Sequence, residues 1–190
     1  MDKKMKITLT TLLLLALFLL GCADTPVSPV KKNDHSYQLI KLPKKSGLSV
    51  ETIFSKTKTI NGKRGGRITI YESYVADDGH TVYIYAKLQV KRNSYRGKVD
   101  ITLTIDDEFA AASFAPAMVF DKPVELSLMF EGIDLEELNL TTGDYDFAFI
   151  DDNENTEVVG YNAIHVNESQ DKIWVTKALL PHFSRYAFVH

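Results

Sequence analysis

Cys22 is the only cysteine of this 190-residue chain. It follows Gly21 and an uncharged run of thirteen residues, Leu9–Gly21, which itself lies behind Lys3, Lys4 and Lys6. A positive start, an apolar stretch and a small residue at the cut make up a secretory signal peptide. The run is shorter than the roughly 20 residues a spanning helix needs. Oxygen ligands cluster in Asp151-Asp152-Asn153-Glu154-Asn155. There Asp151, Asn153 and Asn155 alternate as the first three ligands of a calcium loop would. Thr156 stands where such a loop needs glycine, and Asn162 where it needs a bidentate glutamate, so an EF-hand is excluded. Two readings stay open: a solvated hairpin loop, or a Ca²⁺ site shared with Asp106-Asp107-Glu108 if both clusters lie at one end of the fold. His35, His80, His165, His182 and His190 are scattered without ligand spacing. No G-x-S-x-G, H-E-x-x-H or phosphate-binding glycine loop occurs, so neither a catalytic set nor a cofactor is expected. Tyr83 and Tyr85, two apart on one strand pattern, are candidates for a stacking platform, for cover of a neighbouring sheet or for interface residues.

The elements that must carry these residues are strands. Val82, Ile84, Ala86, Leu88 and Val90 alternate with polar or aromatic residues across Thr81–Lys91. Lys98–Asp106 and Pro123–Phe130 show the same period of two, which predicts half-buried strands. Further strands are expected at Arg67–Tyr74, Tyr145–Ile150, Val158–His165, Lys172–Leu179 and Arg185–Val189. Asp78-Gly79 sits between two strand patterns as a tight hairpin requires. Asn61-Gly62, Gly65-Gly66, Arg96-Gly97 and Thr142-Gly143 are further turn signals. Glu131–Asn139 could hold one helical turn, and Pro116 and Pro123 point to an edge or crossover segment at Ala117–Phe120. Eight or more short strands with polar turns predict an all-β, antiparallel β-sandwich, with a closed barrel as the rival. Hydrophobic residues at 45% and aromatics at 11% suffice for one core.

Leu19-Leu20-Gly21-Cys22 resembles the lipobox of bacterial lipoproteins. The resemblance implies cleavage after Gly21, diacylglycerol on the Cys22 sulfur and an acylated amino terminus. Such chains anchor a protein to a bilayer without a spanning helix. Residues 1–21 are then a cleaved signal peptide, and 48–190 a single β-domain. Between them, 22–47 reads as a flexible tether, because Pro26, Pro29 and Pro43 alternate with Lys31, Lys32, Lys41, Lys44 and Lys45 and no apolar period is present. The exported chain carries a net charge of −5, which gives no electrostatic case for nucleic acid. With Cys22 lipidated, no disulfide partner remains. Lipoproteins with aspartate after the cysteine tend to stay in the inner membrane. Here that residue is Ala23, which favours the outer membrane of a Gram-negative envelope.

Asn61–Gly66, Ile101–Asp106, Phe114-Ala115-Pro116, Phe120–Pro123, Gly132-Ile133-Asp134-Leu135 and His182–Ala187 together resemble bacterial relatives of the ZU-five domain. That domain is shared by ankyrins, netrin receptors and tight-junction scaffolds. The resemblance runs from about Thr59 to His190 and implies a β-sandwich with a role in protein–protein contact. Some eukaryotic members cut themselves at a His-Phe-Ser triplet, which here is His182-Phe183-Ser184. The implied chemistry is attack of Ser184 Oγ on the Phe183 carbonyl, with His182 as general base and water resolving the ester. The competing reading makes Phe183 a core residue, with His182 and Ser184 in a turn before the last strand. An uncut intact mass for the mature chain would remove the cleavage reading.

The leading expectation is a non-catalytic binding module on a bacterial membrane, with another envelope protein as partner. An autoprocessing domain, a carbohydrate-binding module and a purely structural envelope lipoprotein are the alternatives.

Overall fold

A computed structural model describes residues 37–47, 54–135 and 144–190. Cys22, the signal peptide, His35, tether residues 22–36 and the Thr142-Gly143 turn lie outside the described residues, as do residues 136–139 of the Glu131–Asn139 segment.

Eleven strands build two sheets. They are β1 (Ser55–Asn61), β2 (Gly66–Val75), β3 (Thr81–Val90), β4 (Lys98–Ile105), β5 (Ala111–Ala115), β6 (Val119–Glu131), β7 (Asp146–Ile150), β8 (Thr156–Val158), β9 (Ala163–Asn167), β10 (Lys172–His182) and β11 (Arg185–Val189). One sheet has the order β1-β4-β5-β11-β7-β8 and the other β2-β3-β6-β10-β9, with every pairing antiparallel. This is the expected all-β sandwich. Period-2 apolar positions supply its core: Ile84, Leu126 and Phe130 from one sheet meet Leu103, Phe147 and Phe188 from the other. Phe130 and Phe188 touch edge to face at 6.3 Å across the two layers.

Two strands lack an apolar pattern in the sequence. β5 is built of small residues apart from Phe114. β1 carries Lys56 and Lys58 where apolar residues would normally stand. Their ammonium groups donate to the carbonyls of Thr69 (2.8 Å) and Arg67 (3.2 Å), so β1 covers the free edge of β2 with charge. Pro123 sits inside β6, yet β3 pairs with β6 only from Glu125 onward. The missing N–H of the proline therefore falls on an unpaired stretch, as an edge position would.

The expected strand Val158–His165 is instead two strands. Val159 N–H still bonds to Phe147 of one sheet (3.0 Å), whereas Asn162 N–H bonds to Thr176 of the other (3.0 Å). The chain changes sheets between them, leaving β8 and β9 as short edges.

The tether assignment, 22–47, also needs correction at its end. Ile40 is 2% exposed and Leu42 8%. Gln38 and His190 exchange backbone hydrogen bonds at 2.9 and 3.0 Å, Leu42 N–H donates to Glu108 (2.8 Å), and Ser46 N–H donates to Val75 (2.8 Å). Residues 37–47 thus bridge both sheets at one end of the sandwich. Tyr74 Oη donates to the Pro43 carbonyl at 2.8 Å, and burial pushes its pKa up to about 12, so the donor stays protonated. The packed domain reaches back at least to Tyr37.

Candidate recognition surface

The His182-Phe183-Ser184 triplet is the corner at which the chain leaves β10 for β11 and the other sheet. Phe183 is buried, stacked on Phe114 at 5.1 Å and edge-on to Phe120 at 4.7 Å. Its N–H donates to Met118 (2.8 Å), and the Ser184 carbonyl accepts from Phe114 N–H (3.1 Å). Tyr186 Oη donates to the His182 carbonyl at 2.7 Å and lies 3.4 Å from His182 Nδ1. Burial raises the pKa of this tyrosine, so the hydroxyl stays a donor. A tyrosine tied to the backbone just upstream is a known way to lock a chain that switches sheets. The His182 ring packs edge-on against Phe149 at 4.7 Å. Among the described residues, the non-glycine positions with positive φ are Asn93, Glu154, Asp171 and Lys177, and none belongs to the triplet. These are the contacts of a structural corner.

Asp151 closes the β7–β8 hairpin. Its carboxylate accepts the N–H groups of Asn153 and Asn155, both at 2.8 Å, and the Asn155 side-chain amide at 2.8 Å. Asp106 similarly accepts from Glu108 and Phe109 N–H (3.0 and 2.9 Å) and pairs with Arg185 at 2.8 Å. β4 and β7 are three antiparallel steps apart, so they run in opposite directions. Asp106 follows the end of β4 and Asp151 the end of β7, on opposite sides of the row Thr104–Ser113–Arg185–Ile150 and three strand spacings, about 14 Å, apart across the sheet. The shared Ca²⁺ site expected from sequence is therefore not assembled. Among the described residues, no group of three or more His, Cys, Asp or Glu is placed to hold a metal ion.

A cleft of about 870 Å³ lies at the end of the sandwich where residues 38–43 enter, lined by Tyr83 among others. His80 spans its wall, with Nε2 2.8 Å from the Gly132 carbonyl and Nδ1 against the Asp78 carboxylate. Gly132 has φ +79, and a Cβ there would come within 2.5 Å of the Thr81 carbonyl, so only glycine fits this turn.

The five-stranded sheet brings together side chains that the sequence scatters. Antiparallel register sets Tyr71, Tyr85, Met129, Trp174 and His165 in one row across all five strands. Adjacent strands lie about 4.8 Å apart, so the row is about 19 Å long. All five side chains point outward, because Ile70, Ile84, Phe130, Ile173 and Val175 beside four of them are buried and Ile164 and Val166 beside His165 pack against the core. Tyr71 is 70% exposed and Tyr83, in the next row, 42%. His165 and Trp174 rings stack at 4.6 Å and 16°, and Lys172 Nζ lies 5.6 Å from the Trp174 ring. Lys172 also pairs with Glu131 at 2.7 Å, and Lys91 with Glu125 at 2.6 Å. Of the candidates named from sequence, Tyr83 and Tyr85 reach this face. Tyr71, Met129, Trp174 and His165 were missed. Their outward phase is readable strand by strand, but their alignment is a property of register. Comparison with protein-family profiles, with curated proteins and with solved structures returns no match.

Proposed function

We propose that this protein is a non-catalytic binding module held at a bacterial envelope membrane by lipid on Cys22, with the outer face of the five-stranded sheet as its recognition surface. The observation that carries this reading is the outward-facing row Tyr71–Tyr85–Met129–Trp174–His165, exposed at Tyr71 and His165 and half-buried between them. Tyr71, Val75, Tyr83 and Leu179, four of the six large apolar side chains exposed among the described residues, lie on that same face. Exposed aromatic and apolar side chains gathered on one face are a feature of interaction sites. The anchor rests on the sequence around Cys22, and Cys22→Ala is expected to move the protein from the membrane to the soluble fraction.

The test of the surface is photo-cross-linking in intact cells. A photoreactive residue in place of Tyr71 should give adducts. The same residue in place of Thr57, on the outer face of the other sheet, should give none. Equal yields from both positions would remove the assignment of the face.

A further inference from the structure

We infer that the partner of this face is the headgroup region of an anionic bilayer, an assignment that rests on the recognition surface proposed above. Charge is the first argument. The outward side chains of the five-stranded sheet include Arg67, Lys87 and Lys172, with Lys91 just past β3, against Asp121, Glu125 and Glu131. Lys91–Glu125 and Lys172–Glu131 neutralise each other. Arg67 and Lys87 remain against Asp121, and exposed Lys177, in the β10 bulge beside Ser127, adds a third positive charge. This face is therefore cationic in a chain whose formal net charge is −3. Anionic leaflets attract such residues.

The second argument is composition and posture. Tyrosine and tryptophan beside lysine and arginine is the make-up of side chains that sit at the membrane–water interface. Stacked rings on strands about 4.8 Å apart must stand on edge. Trp174 and His165, at 4.6 Å and 16°, therefore turn their flat faces to each other and not to solvent. That posture removes the broad stacking plane a sugar ring would want, and it leaves ring edges and the Met129 thioether to enter a headgroup layer. The third argument is reach. Tyr37 follows Cys22 by fifteen steps along the chain, at most about 50 Å when extended. A lipid on Cys22 would keep the domain within that distance of the bilayer.

Trp174 is the only tryptophan in the chain, so its fluorescence reports this face alone. The experiment uses the exported chain, residues 22–190, carrying Cys22→Ala, so that neither acyl chains nor the apolar run Leu9–Gly21 contributes. It is mixed with phosphatidylglycerol/phosphatidylethanolamine vesicles and, separately, with phosphatidylcholine vesicles. The emission should shift to the blue, be quenched by brominated lipid, and show at least tenfold tighter binding to the anionic vesicles, weakening with salt. The double change Arg67→Glu with Lys87→Glu should weaken anionic binding by about tenfold or more. If that variant unfolds, the salt dependence of the parent protein carries the charge test. Emission unmoved by anionic vesicles, or binding indifferent to both salt and charge reversal, overturns the inference. If the vesicles fail while Tyr71 still cross-links to a protein in cells, the partner is a protein and the recognition surface stands. If both fail, the surface falls with it.

Discussion

The two outer faces of the sandwich are finished in opposite ways. On the six-stranded sheet, Ala111, Ala148, Ala187 and Val189 are fully buried although they point away from the core, and Ile150 is nearly so. Tyr37, Leu39 and Phe109 pack over them, and the Arg185 guanidinium lies 5.3 Å from the Phe109 ring. Small side chains form a trough, and the chain fills it with its own entering segment. On the five-stranded sheet the corresponding positions carry Tyr71, Tyr85, Met129 and Trp174, which project above the backbone and stay at least partly open. Alanine on a sheet face lets another segment approach. A row of large side chains keeps the surface raised above the backbone and open. The difference separates a face used for stability from one free for recognition.

Placing one charge on each face should break that comparison most sharply. Ala187→Glu buries an unpaired carboxylate on the covered face and is expected to cost about 3–5 kcal/mol in urea unfolding. A cost below about 1 kcal/mol would mean that the trough opens freely. Ile40→Ala tests the entering segment and should cost about 2–3 kcal/mol, the low end of the usual range because a chain end can relax. A negligible change would return residues 37–47 to the tether.

The alkaline limb of stability sharpens the same point. Tyr74 holds Pro43, and Tyr161 Oη donates to Asp146 Oδ1 at 2.6 Å. Burial is the largest cause that pushes each pKa up to about 12, from an ordinary value of 10. The folded state therefore holds protons that the unfolded state releases. Their contribution is complete below pH 10 and is lost as pH rises from about 10 to 12. The urea midpoint should fall between pH 9.5 and 11.5 (about the span of these shifts). Tyr74→Phe should make that fall shallower, and an unchanged slope would refute the role given to Tyr74. The smallest effect belongs to the open face: Tyr71→Ala should change stability by no more than about 0.5 kcal/mol while reducing cross-linking or vesicle binding.

Much of the fold was legible because its signal is local. Arg185–Val189 was expected at its observed limits, and Thr81–Val90 to within a residue, since each strand's buried face writes a period of two into the chain. β1 was not legible, because its Lys56 and Lys58 serve the edge of another strand. Val158–His165 looked continuous because apolar content does not record which sheet a residue joins. Gln38-Leu39-Ile40-Lys41-Leu42 looked like tether because its partners are His190, Phe188 and Glu108, distant in sequence. The candidate site was half legible. Tyr83 and Tyr85 were visible as a pair, whereas Trp174 and His165 had no reason to be grouped with them.

By itself the sequence determined the strand-rich class, the polar turns, the lone thiol behind an apolar run and the aromatic character of single positions. These depend on side-chain type and near-neighbour spacing. Tertiary structure decided which oxygens converge, where the packed chain begins, that His182-Phe183-Ser184 forms a corner, and that five outward side chains line up across one sheet. Those outcomes depend on strand order and register, which long-range pairing sets and local pattern cannot encode.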